Sequence, residues 1–201
     1  MLVILDNGHG VDTAGKCSPV WGDGRQLKEY EFNRDIVGRI AYRCKMNGIP
    51  FHVLVPEAKD ISLKERVKRV NELCHKHLGC WFISVHANAA AKPNTASGWS
   101  VWTSKGRTTS DKYADIFWEE AYKGLAQTFK IRKEQSDGDK DYESNFYVLK
   151  NTICPAVMSE NLFMDNENDC RFLMSEEGRE RIADIHFRAI KRIAQQYYGY
   201  K

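Results

Sequence analysis

Trp81-Phe82-Ile83-Ser84-Val85-His86 is the stretch that decides the fold. Five β-prone residues run without a charge, as in a strand buried on both faces of a sheet, and they stop at a histidine. Such a strand needs covering layers, and the flanking sequence supplies them. Upstream, Ser62 with Glu65 three positions later starts a helix that carries Val67, Val70 and Leu73 and closes near Gly79. Before it lie a strand over 51–55 and a helix over 29–47, whose Phe32, Ile36, Val37, Ile40 and Cys44 recur at helical spacing ahead of a capping Gly48. A first strand, 3–6, runs into Asn7-Gly8-His9-Gly10, where two glycines permit a sharp turn around the histidine.

Downstream, 98–103 reads as a strand, and Tyr113, Ile116, Phe117, Tyr122 and Leu125 as the buried stripe of a helix. The charged, glycine-containing stretch 132–145 has no periodicity and reads as a loop. Two short strands are expected over 146–149 and 156–159, then a long helix with Ile182, Ile185, Ala189, Ile190 and Ile193 on one face. Strands alternating with helices predict a three-layer α/β sandwich, a mixed sheet of about six strands with helices on both faces. One catalytic domain over 1–201 is expected from a chain with 42% apolar and 28% charged residues. In such sheets ligands bind at the carboxyl ends of the strands, the edge that His9, His86 and Glu160 would share.

The totals exclude several classes. A net charge of +3 is too small to imply nucleic-acid binding, though it favours contact with an anionic polymer. No run of 18 apolar residues exists, and Met1-Leu2-Val3-Ile4-Leu5 leads directly into an ionisable turn, so neither a membrane span nor a signal peptide is expected. Cysteines 17, 44, 74, 80, 154 and 170 number enough for three disulfides. A chain of this length needs no such staples, so buried free thiols are expected. Cys74, His75, His77 and Cys80 crowd together without a zinc-knuckle spacing, and on a helix they would diverge.

Each candidate site residue has a bland reading alone. His9 fits a turn held by backbone hydrogen bonds, His86 a polar cap on a buried strand, and an acid at the start of helix 29–47 the helix dipole. Two histidines with such an acid, Glu29 or Glu31, nonetheless match the ligand set of a catalytic zinc, which takes three protein ligands and a water.

Four ordered motifs carry the reading further. Ile4-Leu5-Asp6-Asn7-Gly8-His9-Gly10, Glu29-Tyr30-Glu31-Phe32-Asn33, Ser84-Val85-His86-Ala87-Asn88-Ala89 and the segment from Pro155 to Asn166 resemble the zinc-dependent N-acetylmuramoyl-L-alanine amidases of the Amidase_3 type. Leu63 to Asn71, with Arg66, looks like that family's structural helix, and Val148-Leu149 its penultimate strand. The resemblance implies one Zn2+ held by His9, Glu29 and His86, the spacing to Asn33 selecting Glu29 over Glu31. It implies Glu160 as general acid and base, and peptidoglycan as partner, cut at the amide between the lactyl group of N-acetylmuramic acid and L-alanine. Two departures stand out. Asn7 replaces the usual proline, and Leu162 a usual glycine, where a side chain would narrow the site or redirect the loop.

Trp21, Trp99 and Trp102 fit core or edge packing better than sugar stacking, and 132–145 a solvated loop better than a lid. A zinc exopeptidase or carboxypeptidase would use the same ligands, and a catalytically silent wall-binding module would keep only the fold. Cytoplasmic synthesis followed by action on the wall is expected, by release at lysis as for a phage endolysin or by non-classical export; a domain excised from a longer protein would read the same.

Overall fold

The computed structural model describes residues 1–134 and 138–200. Six strands form one sheet: β1 (Leu2–Asn7), β2 (Phe51–Val53), β3 (Cys80–Asn88), β4 (Ser100–Thr103), β5 (Tyr142–Glu143) and β6 (Ala156–Phe163). Their order is β2-β1-β3-β6-β4-β5, with β4 antiparallel to β6 and every other neighbouring pair parallel. The expected mixed six-stranded sandwich is what the chain forms.

Strand alternation builds two cores. Val3, Leu5, Trp81, Ile83, Val85 and Val157 face α1 (Glu29–Met46), α3 (Thr109–Leu125), α5 (Glu167–Met174) and α6 (Glu176–Tyr198). Ile4, Phe82, Ala156 and Met158 face α2 (Leu63–Lys76) and α4 (Tyr147–Asn151). α2 starts where Ser62 Oγ accepts from the Glu65 amide at 3.2 Å, as its sequence predicts. No described helix is long and apolar enough to cross a membrane.

Four expectations change. The strand expected over 156–159 runs on to Phe163, so Glu160 lies within it. The strand expected over 146–149 is α4, because the Phe146 carbonyl accepts from Leu149 N at 3.0 Å and Lys150 N at 2.9 Å, closing a helical turn. A four-residue apolar run fits either structure, so its pattern alone does not discriminate. The stretch 132–145 holds β5, paired in parallel with β4, while 135–137 lie outside the described residues. Helix α5 was not expected. Asn166 starts it by accepting from Asn168 N at 3.1 Å and Asp169 N at 3.2 Å, and Cys170 and Leu173 fill its short buried face.

Candidate metal centre

His9 lies just past β1, His86 two residues before the end of β3 and Glu160 three before the end of β6, and the three meet on one side of the sheet. His9 follows β1 and is itself the left-handed residue of the turn, with φ +64°, whereas neither Gly8 nor Gly10 has a positive φ. The glycines therefore serve space rather than conformational freedom. A Cβ on Gly8 would stand 2.0 Å from Cε1 of His86, and one on Gly10 2.0 Å from the Asp60 amide nitrogen.

Glu29, 1% exposed, is the first residue of α1. Asn33, one turn on, donates to the Gly8 carbonyl at 3.0 Å, and the Ala87 amide donates to Glu29 Oε1 at 3.2 Å, so the helix start is tied to β1 and β3 together. Glu29 Oε1 lies 3.1 Å from His86 Nδ1 and Oε2 lies 3.3 Å from His9 Nε2. The two imidazoles meet edge to face, centroids 4.9 Å apart and planes at 84°. One ligand atom from each of the three residues falls within 4.8 Å of the others. Glu31 points elsewhere, accepting from the Tyr30 hydroxyl at 2.9 Å and pairing with Lys28 at the surface.

Burial works against the charge on Glu29, but the flanking imidazoles outweigh it and hold the carboxyl well below the usual range. For His86 burial favours the neutral ring, and the Glu29 carboxylate overcomes that and raises its pKa. Glu29 Oε2 has no aligned hydrogen-bond donor despite its burial. A buried carboxylate with a spare oxygen between two imidazoles suits a divalent cation, and this donor set is that of a catalytic zinc.

Glu160 sits on β6 directly across from His86. Burial, opposed by the charge of His86, raises its carboxyl to about 7; Glu29 adds to the rise and Lys16 works against it. Its Oε2 is buried without a hydrogen-bond partner. A cavity of about 210 Å³ opens here, walled by His9, His86, Glu160, Lys16, Leu63 and the α4 segment Phe146, Tyr147 and Val148. Asp6, Ser84 and Arg66 also line it, and sequence reasoning gave them no part in the site. The alternation that turns Ile4 and Phe82 toward α2 carried the signal, since Asp6 and Ser84 lie two positions further along the same strands.

Other features separate from this edge. Leu162 has φ +62° and lies where the β3–β6 register shifts beyond His86, yet its fully buried side chain packs in the α1/α3/α6 core and does not narrow the cavity. Asn7 ends β1 and donates to the Val55 carbonyl at 3.1 Å. Trp99 and Trp21 are buried, donating to Asn161 Oδ1 at 2.8 Å and Cys170 Sγ at 3.2 Å, and Trp102 stacks on Tyr142 at 4.8 Å. All six cysteines are free as expected, but only Cys44, Cys80 and Cys170 are buried; Cys74 and Cys154 are half-buried and Cys17 is exposed. Among the described residues, His9, Glu29 and His86 form the one metal-competent group, so Cys74, His75, His77 and Cys80 make none.

Comparison with known proteins agrees with this architecture. The family model Amidase_3, described as N-acetylmuramoyl-L-alanine amidase, matches residues 3–192. N-acetylmuramoyl-L-alanine amidase CwlM of Bacillus licheniformis is 26% identical over 190 residues, 94% of this chain and 67% of that protein. The endolysin of Bacillus phage SPP1 is 26% identical over 197 residues, 96% of this chain and 65% of its own length. The chain thus spans about two thirds of the length of these relatives. In fold it is similar to the crystal structure of an N-acetylmuramoyl-L-alanine amidase from Clostridium difficile 630, with a TM-score of 0.80, 23% identity and coverage of 98% and 97% of the two chains. A match along nearly the whole chain makes it a member of the Amidase_3 family, the N-acetylmuramoyl-L-alanine amidases, which are hydrolases.

Proposed function

We propose that residues 1–201 form one catalytic domain that cleaves peptidoglycan with zinc held by His9, Glu29 and His86, at the amide joining the lactyl group of N-acetylmuramic acid to L-alanine. The observation that carries the reading is the buried Glu29 carboxylate, set between two imidazoles and one cavity away from a second carboxyl whose pKa is raised. A zinc ion held by these three residues would supply Lewis acidity toward the attacking water and the scissile carbonyl. Glu160, on the strand next to His86 and in register with it, would take the proton from that water and pass it to the departing amine. The cavity wall of Leu63, Phe146 and Val148 gives the substrate an apolar bank opposite these polar groups. The SPP1 relative is named an endolysin, in keeping with action on the cell wall.

Digestion of purified cell walls with the zinc-loaded chain tests the reading. The expected product carries a new free amino group on L-alanine; new termini elsewhere in the stem peptide would replace this reading with a peptidase, and wall binding without product with a binding module. Glu160→Gln is expected to keep zinc and lose turnover by roughly 10²–10⁴-fold. Near wild-type turnover in that variant would overturn the role of Glu160.

A further inference from the structure

A chain of polar groups runs beneath the metal centre from α2 to His86. Arg66, 2% exposed, pairs through Nη1 with Asp6 Oδ1, and the same nitrogen donates to the Asn7 carbonyl at 3.1 Å, while Nη2 donates to Asp60 Oδ1 at 2.9 Å and Nε to the Ile61 carbonyl at 2.9 Å. The other oxygen of Asp6 lies 2.7 Å from Ser84 Oγ, and that hydroxyl lies 3.0 Å from His86 Nε2. Asp6 is 1% exposed and Ser84 fully buried.

The donor inventory gives this chain a direction. A guanidinium only donates, and a carboxylate facing it only accepts. Ser84 must therefore direct its one hydrogen at Asp6 Oδ2, and toward His86 it offers a lone pair. Nε2 of His86 consequently carries a hydrogen, and in the neutral ring the free lone pair is on Nδ1, the atom facing Glu29 at 3.1 Å. His9 turns the opposite nitrogen, Nε2, toward Glu29.

We infer that Arg66, Asp6 and Ser84 are positioning residues that fix the tautomer of His86, so that this histidine offers Nδ1 to the metal while His9 offers Nε2. The inference rests on the reading of His86 as a metal ligand and adds which atom binds and what holds it there. Two consequences separate it from simple packing. Ser84→Ala removes the acceptor, freeing the ring between tautomers. Asp6→Asn does more, because an amide can donate to Ser84 Oγ; the serine hydrogen then turns to Nε2, and the proton of the ring moves to Nδ1.

The test measures zinc affinity by competition with a chromophoric chelator, and ring-nitrogen shifts by long-range 1H–15N NMR of the zinc-loaded protein at pH 8. Wild type is expected to show His86 bound through Nδ1 with a hydrogen on Nε2, and His9 bound through Nε2. Ser84→Ala should weaken zinc binding about 10–100-fold, the range typical of groups that orient metal ligands. Asp6→Asn should weaken it at least as much. Ser84→Thr, which keeps the hydroxyl, should restore most of the loss. Wild-type spectra showing His86 bound through Nε2, or Ser84→Ala binding zinc within twofold of wild type, would overturn the inference and leave the metal-centre reading standing. A wild-type chain that binds no zinc would overturn both. If Asp6→Asn fails to fold, Ser84→Ala and the wild-type spectra still decide.

Discussion

Two histidines on opposite faces of the sheet each carry a serine hydroxyl at Nε2: His86 with Ser84 at 3.0 Å and His186 with Ser159 at 2.8 Å. What lies beyond each pair makes them opposites. The Nδ1 of His186 faces the Ile182 carbonyl at 2.8 Å, and a carbonyl only accepts. Its hydrogen is therefore on Nδ1, Ser159 donates to Nε2, and Asn161 Nδ2 donates in turn to Ser159 at 3.1 Å. In the other pair the serine accepts and its hydrogen goes to Asp6. His186 is fully buried beside Phe117, and burial lowers its pKa to about 4. A histidine and serine in contact thus carry no function of their own. The next group along decides whether the ring is a neutral core element or a basic nitrogen turned toward a carboxylate.

The largest expected effect comes from exchanging the two losses. His86→Ala should abolish zinc binding and reduce amidase turnover by at least about 10³-fold, while the zinc-free protein melts close to wild type. His186→Ala should keep zinc stoichiometry and cost about 2–4 kcal/mol of stability through the lost volume and the unpaired Ser159 hydroxyl. Isothermal zinc titration and thermal melts on both variants would break the comparison if the two patterns were reversed.

Acid should act next in size. The folded pKa of His186 lies below its ordinary value of 6.5, so between pH 6.5 and about 4 the unfolded chain binds the extra proton. The stability this neutral ring contributes is complete above pH 6.5 and drains as pH falls, by about 3 kcal/mol across the window. Melting at pH 7.5 and 5 should show His186→Gln with a smaller difference than wild type, by roughly 4–8 °C. An equal pH dependence in both proteins would remove His186 from the account.

The smallest effect is expected at Leu162, just past the residues through which β6 serves both faces. Leu162→Gly relieves a left-handed backbone worth about 1 kcal/mol and forfeits a fully buried leucine worth about 2–4 kcal/mol, leaving a modest net loss. Turnover should stay within threefold, since the side chain packs on the far core.

The layers were legible because periodicity reports burial, and His9 follows from where the first apolar run stops, whereas β3 runs on to Asn88 and β6 to Phe163, past the ends expected at His86 and Glu160. Glu29 was reached by motif spacing, since an acid at a helix start has an ordinary reason to be there. Asp6 and Ser84 were harder. Alternation gives the face of a strand but not the residue beside it on the next strand, and only the register sets Asp6 against Ser84 and His86 against Glu160. Arg66 reaches Asp6 from a helix sixty positions away in sequence, a contact that no local pattern encodes. Helix α4 escaped for a different reason, its apolar run being too short to have a period.

The missing side chains at Gly8 and Gly10 leave a mark on heredity. Any coding change at either position that alters the amino acid adds a carbon where the His86 ring or the Asp60 backbone already stands. Neither codon can drift through a neutral intermediate. Room for variation lies across the cavity instead, at Leu63 and the Phe146–Val148 bank, where a change in bulk meets open volume and not an imidazole.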